Sequence, residues 1–468
     1  MSVVMLLADG VRPDTLAAAI DAGALPAMAR LRAEGGLHPV TTVFPSVTGP
    51  AYAPFLMGRF PGPVGLPGLR WFDRDRTACT FPDYTRSYVG YQIGEVDRDL
   101  DPGAPTIFEL APSSLAALSV ITRGLAPANR IGSLTLRSAL RAARTHFRGD
   151  VAGWLAIDRE VAGEVARRVS AERPAFTYAA FTGVDKVSHA RGHTHPMVTD
   201  ALRIVDDAAA RIRADAERDG RWAGMHLWIV SDHGHSPVRQ HEDLTGLLTM
   251  LGHRVVAHPW VFTPFPDTAV MVSGNAMAHL FLDTPRRTRP WWPGLAAQWE
   301  PLVGKLLARP SVDLALLPFP GGRCEVRSRR GEAAMVSRAG DRYAYAPLAG
   351  DPLGIGCALD GVTADEAHDA CAATDYPDAV VQIAHLASSR RAGDVILSAA
   401  RDWDLRAHYE PIRHVSSHGA LHREHMAVPL LVNRPVARVP RRTTDVMPSA
   451  LAALGLEIPG SLDGRSFL

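Results

Sequence analysis

The sequence predicts an α/β fold in which a central, mostly parallel sheet carries helices on both faces, with an inserted α+β subdomain. Two observations support this prediction. Apolar runs of strand length alternate along the chain with patterns of helical period, which is typical of a parallel sheet covered on both sides. Polar side chains able to bind metal follow several of these runs, and open α/β sheets bind ligands at the carboxyl ends of their strands.

The predicted core strands are short apolar runs, a pattern consistent with buried strands. They cover residues 3–8, 37–43, 175–181, 226–231, 394–399 and 427–432. Residues 194–221 have the period of a long helix, with one apolar face made by Val198, Leu202, Val205 and Ala209. We expect that face to pack in the core.

Two stretches interrupt the core pattern. Residues 97–163 carry arginines among small apolar residues and are predicted to form a helical insertion. Residues 262–386 mix helical pieces with short strands and are predicted to form an inserted α+β cap subdomain. The short strands are expected at 269–272, 278–282, 324–327 and 334–336.

Composition excludes several classes of protein. The 468 residues include 50 basic and 49 acidic ones, a formal charge of +1, so no bulk field attracts a nucleic-acid polymer or an anionic membrane. The cysteines are too widely spaced for a CxxC motif or an obvious disulfide framework (Cys79, Cys324, Cys357 and Cys371). No apolar run reaches the roughly 20 residues of a membrane span. The first strand begins at about Val3, which leaves no room for a signal peptide, and we expect a cytoplasmic protein.

Three aspartates and three histidines supply enough ligands for two metal ions, and all of them except His418 follow predicted strands. They are Asp9, Asp185, His189, Asp232, His233 and His418. The spacing of Asp185 and His189 places both side chains on one side of a helical turn. Asp232 and His233 are adjacent, so they reach one ion only from an irregular loop. Carboxylate and imidazole without thiolate suit Zn²⁺ or Mn²⁺.

A hydroxyl nucleophile is available in the segment 44–50. Thr48 follows a β-branched strand and precedes Gly49-Pro50, which can open a helix. A hydroxyl at this point benefits from helix N-terminal N–H groups and from a nearby metal ion that lowers its pKa. Ser46 is the alternative nucleophile.

These segments, in this order, resemble the alkaline phosphatase superfamily and, within it, the type I phosphodiesterase/nucleotide pyrophosphatase family. The resemblance lies in residues 4–12 (VMLLADGVR), 44–48 (FPSVT), Asp185 with His189, 231–234 (SDHG) and His418-Gly419. The closing segments agree with it: 426–432 (MAVPLLV), 444–449 (TDVMPS) and 462–465 (LDGR). The resemblance implies an alkaline-phosphatase-like catalytic domain over residues 1–468, with the cap subdomain over the site.

The resemblance also implies a role for each residue. Asp185, His189 and His418 match the ligands of one zinc ion. Asp9, Asp232 and His233 match the ligands of the second, at which Thr48 rather than Ser46 is the nucleophile. The implied reaction is in-line attack of Thr48 on phosphorus through a phospho-threonine intermediate. The remaining histidines of these segments are expected on the surface or around the ligands (His193, His195, His235, His422 and His425).

One position departs from the family pattern. Leu69 stands where the resemblance implies an asparagine that hydrogen-bonds a phosphate oxygen, and a leucine side chain donates nothing. Arg70 beside it offers a bidentate guanidinium, which favours a more highly charged group such as a monoester dianion. Lys186, within the ligand segment, is a second candidate contact for the anion.

The sequence therefore predicts a two-zinc phosphoester hydrolase of phosphodiesterase type, with Mn²⁺ as the other metal that fits, acting on a small-molecule phosphoester. Alternatives are a monoesterase or phosphonate hydrolase, a phosphotransferase, or an inactive metal-binding scaffold. A sulfatase is disfavoured because residues 44–48 lack the Cys/Ser-x-Pro-x-Arg setting. A homo-oligomer is compatible with the sequence.

Overall fold

The computed structural model of the chain describes residues 1–75, 85–89, 91–132, 136–258, 263–406 and 412–468, so Cys79 and the predicted subdomain boundary at Phe262 lie outside the described residues. The strands, in chain order, are β1 (Ser2–Ala8), β2 (Leu37–Thr41), β3 (Arg70–Phe72), β4 (Thr85–Ser87), β5 (Ser114–Ala117), β6 (Arg130–Ile131), β7 (Phe176–Phe181), β8 (Met225–Val230), β9 (Ser236–His241), β10 (Val255–Ala257), β11 (Thr268–Ser273), β12 (Met277–Leu282), β13 (Val312–Phe319), β14 (Arg323–Ser328), β15 (Ala333–Ala339), β16 (Arg342–Ala349), β17 (Leu359–Thr363), β18 (Val395–Ala399), β19 (Asp402–Asp404), β20 (Ser416–Ser417) and β21 (Ala427–Leu431).

The α-helices follow the same order. They are α1 (Pro13–Asp21), α2 (Pro26–Glu34), α3 (Ala53–Met57), α4 (Val96–Asp99), α5 (Ile107–Leu110), α6 (Leu136–Phe147), α7 (Val151–Glu172), α8 (Gly183–Arg191), α9 (Pro196–Arg218), α10 (Leu244–Met250), α11 (Ala296–Leu307), α12 (Ala364–Cys371), α13 (Ala379–Ser388), α14 (Arg423–Met426) and α15 (Val446–Leu454).

A seven-stranded sheet forms the centre of the molecule, with the order β2-β21-β8-β1-β7-β5-β6. Strand β1 pairs in parallel with β7 and β8, and β5 pairs in parallel with β6 and β7. Only β21 among these strands runs against its neighbours. The predicted mostly parallel sheet is therefore confirmed.

The side chains of β1 alternate between two cores, because successive residues of a strand point to opposite faces. Val3, Met5 and Leu7 pack with residues of α3 and α15. Val4 and Leu6 pack on the other face with residues of α1, α2, α7 and α9. The predicted apolar stripe of α9 is buried in this second core. Helices thus cover both faces, as predicted.

A nine-stranded sheet follows, with the order β10-β11-β12-β18-β13-β14-β15-β16-β17. The prediction that residues 394–399 form a strand of the central sheet is wrong. These residues contain β18, which lies between β12 and β13 in the second sheet and is antiparallel to both. A short apolar run in the sequence predicts a buried strand, but it does not predict the sheet to which that strand belongs. The second sheet extends beyond residues 262–386 on both sides, through β10 and β18.

The stretch 97–163, predicted as a helical insertion, contributes strands as well as helices. Helices α5 and α6 and the start of α7 lie within it, and so do β5 and β6, which form one edge of the central sheet.

No helix among the described residues has both the length and the apolar character that a membrane crossing requires.

Candidate metal centre and nucleophile

The register of the central sheet brings the ends of three strands to one edge. Ala8 pairs with Phe181 at the ends of β1 and β7, and Leu7 pairs with Val230 at the end of β8. Asp9 follows β1 directly, and its backbone N–H donates to the carbonyl of Phe181 at 3.0 Å. The polar residues that follow β7 and β8 therefore emerge beside Asp9.

One group of ligands, which we call the Asp9 cluster, consists of Asp9, Asp232 and His233. All three side chains are buried, and their ligand atoms lie within 4.8 Å of one another. His233 Nε2 lies 3.2 Å from Asp9 Oδ1 and 3.6 Å from Asp232 Oδ2. Asp232 Oδ2 is buried without a hydrogen-bond partner. A buried, unpaired carboxylate oxygen of this kind fits a site for a cation.

A second group, the Asp185 cluster, surrounds one carboxylate oxygen with imidazole nitrogens. Asp185 and His189 lie one turn apart on α8, as their spacing predicts. Asp185 Oδ1 lies 3.1 Å from Nε2 of His189, 3.0 Å from Nε2 of His235 and 3.6 Å from Nε2 of His418. His418 comes from the loop after β20. The structure thus brings all six predicted ligands together.

The second ring nitrogens indicate the tautomers of three of these histidines. His189 Nδ1 lies 2.8 Å from the carbonyl oxygen of Ser416. The corresponding distance is 3.2 Å from His233 Nδ1 to the carbonyl oxygen of Gly234, and 2.9 Å from His418 Nδ1 to that of Ser46. Carbonyl oxygens only accept hydrogen bonds, so each neutral ring carries its proton on Nδ1. Nε2 then faces the carboxylates, and a metal ion bound there would take each ring in its neutral form through this nitrogen.

The charges of the clusters shift several pKa values. Burial and the charge of Asp9 raise the pKa of Asp232 well above its usual range. Burial lowers the pKa of His233, but Asp232 and Asp9 outweigh this effect and raise it to about 9. Burial by itself would raise the pKa of Asp185. The nearby charges, chiefly that of His189, outweigh burial and hold this pKa well below its usual range. The site concentrates negative charge that a bound cation would neutralise.

Thr48, and not Ser46, lies against the Asp9 cluster. Thr48 Oγ1 is 3.1 Å from His233 Nε2, and it donates a hydrogen bond to Asp9 Oδ1 at 3.3 Å. The Ser46 hydroxyl is fully buried and donates to the carbonyl of Ala420 at 3.1 Å. The structure therefore places the hydroxyl of Thr48, the predicted nucleophile, against the Asp9 cluster.

The two predicted anion contacts lie on different elements. Lys186 Nζ lies 2.8 Å from Asp185 Oδ2, and its side chain is 30% exposed. Arg70 begins β3, is half-buried, and donates from Nε to Ser87 Oγ at 3.4 Å. Burial is the largest cause that lowers the pKa of His146, and the charges of Lys186, His189 and Arg70 lower it further, to about 4. Lys186 therefore lies at the Asp185 cluster, and Arg70 lies on the β3–β4 hairpin with its hydrogen bond to Ser87.

Two further residues contact this machinery. His235 was expected on the surface or around the ligands, and its buried ring lies within hydrogen-bond distance of Asp185. Sequence reasoning missed the other residue, Asp158. Asp158 of α7 is buried, and its carboxylate accepts hydrogen bonds from the N–H groups of Thr182 and Gly183, where α8 begins. Burial raises the pKa of Asp158 to about 7.

Solved structures share this fold. The phosphonoacetate hydrolase of Sinorhizobium meliloti 1021, solved in complex with phosphonoacetate, aligns with a TM-score of 0.60 and 16% identity over 97% of this chain and 96% of that one. A murine ectonucleotide pyrophosphatase/phosphodiesterase 5, an inactive form in complex with AMP, aligns with a TM-score of 0.57 and 13% identity over 98% and 96%. The human protein aligns with a TM-score of 0.55 and 13% identity over 99% and 97%.

No curated protein matches the chain at a significant level. The family model described as type I phosphodiesterase / nucleotide pyrophosphatase matches residues 3–290, which is more than half of the chain. Its span includes Thr48 and five of the six predicted ligands, all but His418. The alkaline-phosphatase-like architecture and the buried carboxylate and imidazole clusters agree with this match. The chain belongs to the type I phosphodiesterase/nucleotide pyrophosphatase family and is a metal-dependent phosphoric ester hydrolase.

Proposed function

We propose that the chain hydrolyses small phosphoesters with two Zn²⁺ ions and with Thr48 as nucleophile. One ion is assigned to Asp9, Asp232 and His233, and the other to Asp185, His189 and His418. Bound there, the ions would lower the pKa of the nucleophile and stabilise charge on the attacking and leaving oxygens. Mn²⁺ suits the same donors. The observation that carries the proposal is the 3.1 Å distance between Thr48 Oγ1 and His233 Nε2.

The proposed reaction has two displacements. Thr48, after losing its proton to solvent, forms a bond from Oγ1 to phosphorus, while the bond from phosphorus to the leaving oxygen breaks and that oxygen keeps the electron pair. Water then attacks the phospho-threonine and breaks the bond between Oγ1 and phosphorus, which restores the hydroxyl. Asp9 orients the hydroxyl through the hydrogen bond that it accepts from Thr48. Positioning and electrostatics supply most of the acceleration.

A phosphodiester is the first candidate substrate because the family match names diesterases and pyrophosphatases. A monoester or a phosphonate is the second, and the cations of Lys186 and Arg70 favour it because they suit a more highly charged group. Solved structures of this fold bind phosphonoacetate and AMP, both small phosphoryl compounds. The cytoplasmic location stays a prediction.

Paired hydrolysis of bis-p-nitrophenyl phosphate and p-nitrophenyl phosphate tests the proposal. We expect zinc-loaded protein to cleave at least one of them and Thr48→Ala to lose at least a thousandfold in kcat while keeping its zinc. Ser46→Ala is the matched control and should keep both zinc and turnover. Turnover by Thr48→Ala at the wild-type rate would refute the nucleophile, and a chain without zinc would refute the metal site.

A further inference from the structure

The nucleophile lies beyond the end of β2, in residues 42–48, which we call the nucleophile segment. Strand β2 pairs with β21 only as far as Thr41. The N–H of Thr42 still donates to the carbonyl of Met426 at 2.8 Å, just before β21. Thr42 and Phe44 are buried, so their remaining backbone groups need partners other than water. Those partners decide where the segment lies.

The side-chain amide of Gln382 supplies two of these partners. Its Oε1 accepts from the N–H of Phe44 at 2.8 Å, and its Nε2 donates to the carbonyl of Thr42 at 3.0 Å. A residue of a parallel strand makes the same pair of contacts, to positions two apart in the strand beside it. Gln382 belongs to α13 and is 1% exposed, so water does not compete for these hydrogen bonds. Helix α13 therefore holds the start of the nucleophile segment.

The amide of Gln382 is held in one orientation. Its Nε2 also donates to Asp378 Oδ2 at 2.8 Å. Because a carboxylate only accepts and a backbone N–H only donates, exchanging the amide oxygen and nitrogen would break the contacts with both Asp378 and Phe44. Arg442 in turn donates to both carboxylate oxygens of Asp378, each at 2.7 Å. All three side chains are buried, so a buried ion pair anchors the amide from behind.

The rest of the nucleophile segment leads to the proposed metal ligands. The hydroxyl of Thr42 donates to the carbonyl of Asp232. The carbonyl of Ser46 lies 2.9 Å from His418 Nδ1. The segment ends at Thr48, whose hydroxyl lies against the Asp9 cluster. Because the segment is short and packed, a shift of its start moves the Thr48 hydroxyl relative to that cluster.

We propose that Gln382 is a positioning residue for the reaction, which holds the start of the nucleophile segment so that the Thr48 hydroxyl meets the Asp9 cluster. The inference rests on the function proposed above. Gln382 lies within the stretch 262–386, whose strands belong to the second sheet. That part of the chain thus helps to place a group at the edge of the central sheet. Rates depend steeply on the placement of reacting groups, so the loss of the amide should appear in kcat.

Replacing Gln382 by methionine removes the hydrogen bonds of the side chain at nearly the same volume. We expect Gln382→Met to reduce kcat about 10- to 100-fold, with KM changed less than about threefold and the zinc content unchanged. The substrate is whichever of bis-p-nitrophenyl phosphate and p-nitrophenyl phosphate the wild type cleaves faster. Gln382→Asn keeps the amide but shortens its reach, and it should show a smaller loss of kcat. It replaces Gln382→Met in every test if the methionine variant does not fold.

Tyr343→Phe is the matched control because it also removes a buried hydrogen bond from α13. That bond joins Tyr343 Oη and His385 Nε2 at 2.8 Å, and its loss leaves the contacts of Gln382 in place. The control should lower the Tm, as Gln382→Met does, and keep the wild-type kcat.

Hydrogen exchange gives a readout that does not depend on turnover. Mass spectrometry of a peptide that contains residues 42–48 should show faster amide exchange in Gln382→Met than in the wild type, because the N–H of Phe44 loses its acceptor. Tyr343→Phe should exchange there at the wild-type rate. Unchanged exchange in Gln382→Met would overturn the proposal.

A double-mutant cycle decides whether Gln382 acts through the nucleophile. Thr48→Ala has no hydroxyl to misplace, so adding Gln382→Met should lower its residual turnover less than about twofold. An equal loss in both backgrounds would overturn the proposal, and so would the wild-type kcat in folded Gln382→Met. If Thr48→Ala has no measurable turnover, the comparison of Gln382→Met with Tyr343→Phe decides. Turnover by Thr48→Ala at the wild-type rate would instead refute the proposed function.

Discussion

The buried carboxylate of Asp158 accepts a hydrogen bond from the backbone N–H of Gly183 at 2.6 Å. This contact fixes the first turn of α8, the helix that carries Asp185 and His189, although Asp158 belongs to α7. A β-carbon on Gly183 would lie 2.7 Å from the same carboxylate, so the glycine permits the close approach. Asp158 is thereby placed to position two of the proposed metal ligands.

We predict that Asp158→Ala weakens metal binding because α8 loses the acceptor at its first turn. The free energy of unfolding should fall by about 1–3 kcal/mol, the cost of leaving buried N–H groups unpaired. Zinc affinity, measured by competition with a chromophoric chelator, should fall about tenfold or more.

Asp243→Ala is the matched control for this variant. Asp243 accepts from the N–H of Gly246 at the start of α10, which carries none of the proposed ligands. The control should lose stability and keep its zinc affinity. Equal zinc affinity in both variants would show that Asp158 is only structural.

His235 is predicted to support the Asp185 cluster, since its Nε2 lies 3.0 Å from Asp185 Oδ1. His235→Gln should reduce zinc affinity about 10- to 100-fold, the usual effect of removing a group that orients a metal ligand. His226→Gln is the control because His226 is also buried but lies at the opposite end of β8. Metal analysis after dialysis against a weak chelator measures both variants, and full zinc content in His235→Gln would contradict the prediction.

Metal removal should expose the repulsion within the Asp9 cluster. Burial and Asp9 raise the pKa of Asp232, so the metal-free protein holds two carboxylates that resist ionisation together. We expect a chelator to lower the Tm of the wild type, because a ligand that binds only the folded state stabilises it. Asp232→Asn removes the carboxyl group whose ionisation burial and Asp9 oppose, so its Tm without metal should exceed that of the metal-free wild type. Its gain on adding zinc should be smaller, and scanning calorimetry with and without zinc tests both expectations.

Acid should destabilise the protein through histidines that are buried uncharged. Burial, followed by the charges of Arg434 and the N-terminus, lowers the pKa of His226 to about 4. The unfolded chain then binds the proton more tightly, so the free energy of unfolding falls as pH falls from about 6.5 to about 4. This one group contributes at most roughly 3 kcal/mol over that window. His226→Gln should show a smaller loss in urea titrations at these pH values, and an unchanged slope would contradict the assignment.

Sequence reasoning located most of the site because its residues follow strands. The apolar runs before Asp9 and Asp232 are unmistakable, and parallel strands bring their carboxyl ends to one edge. The turn that directs His235 inward depends instead on distant contacts. Gly234 donates its N–H to the carbonyl of His425, and a β-carbon on it would lie 2.1 Å from the carbonyl oxygen of Glu424. The sequence of residues 231–235 alone does not indicate that α14 contacts this loop.

Two other features could not be predicted for a related reason. Asp158 precedes Gly183 by 25 positions, and only the packing of α7 on α8 brings them together. The run at 394–399 has the composition of any buried strand, so its pairing with β12 and β13 is decided by the rest of the second sheet. Local pattern predicts that an element exists, and tertiary packing decides what it contacts.

The most direct test of the account is to find the phosphoryl group on the protein. Zinc-loaded enzyme is mixed with bis-p-nitrophenyl phosphate or p-nitrophenyl phenylphosphonate, quenched in acid within milliseconds, digested and examined by mass spectrometry. The account predicts a phosphorylated or phosphonylated peptide with the modification on Thr48, absent from Thr48→Ala and retained in Ser46→Ala. Substrate turnover with no modified Thr48 at any quench time, or with the modification on Ser46, would contradict it.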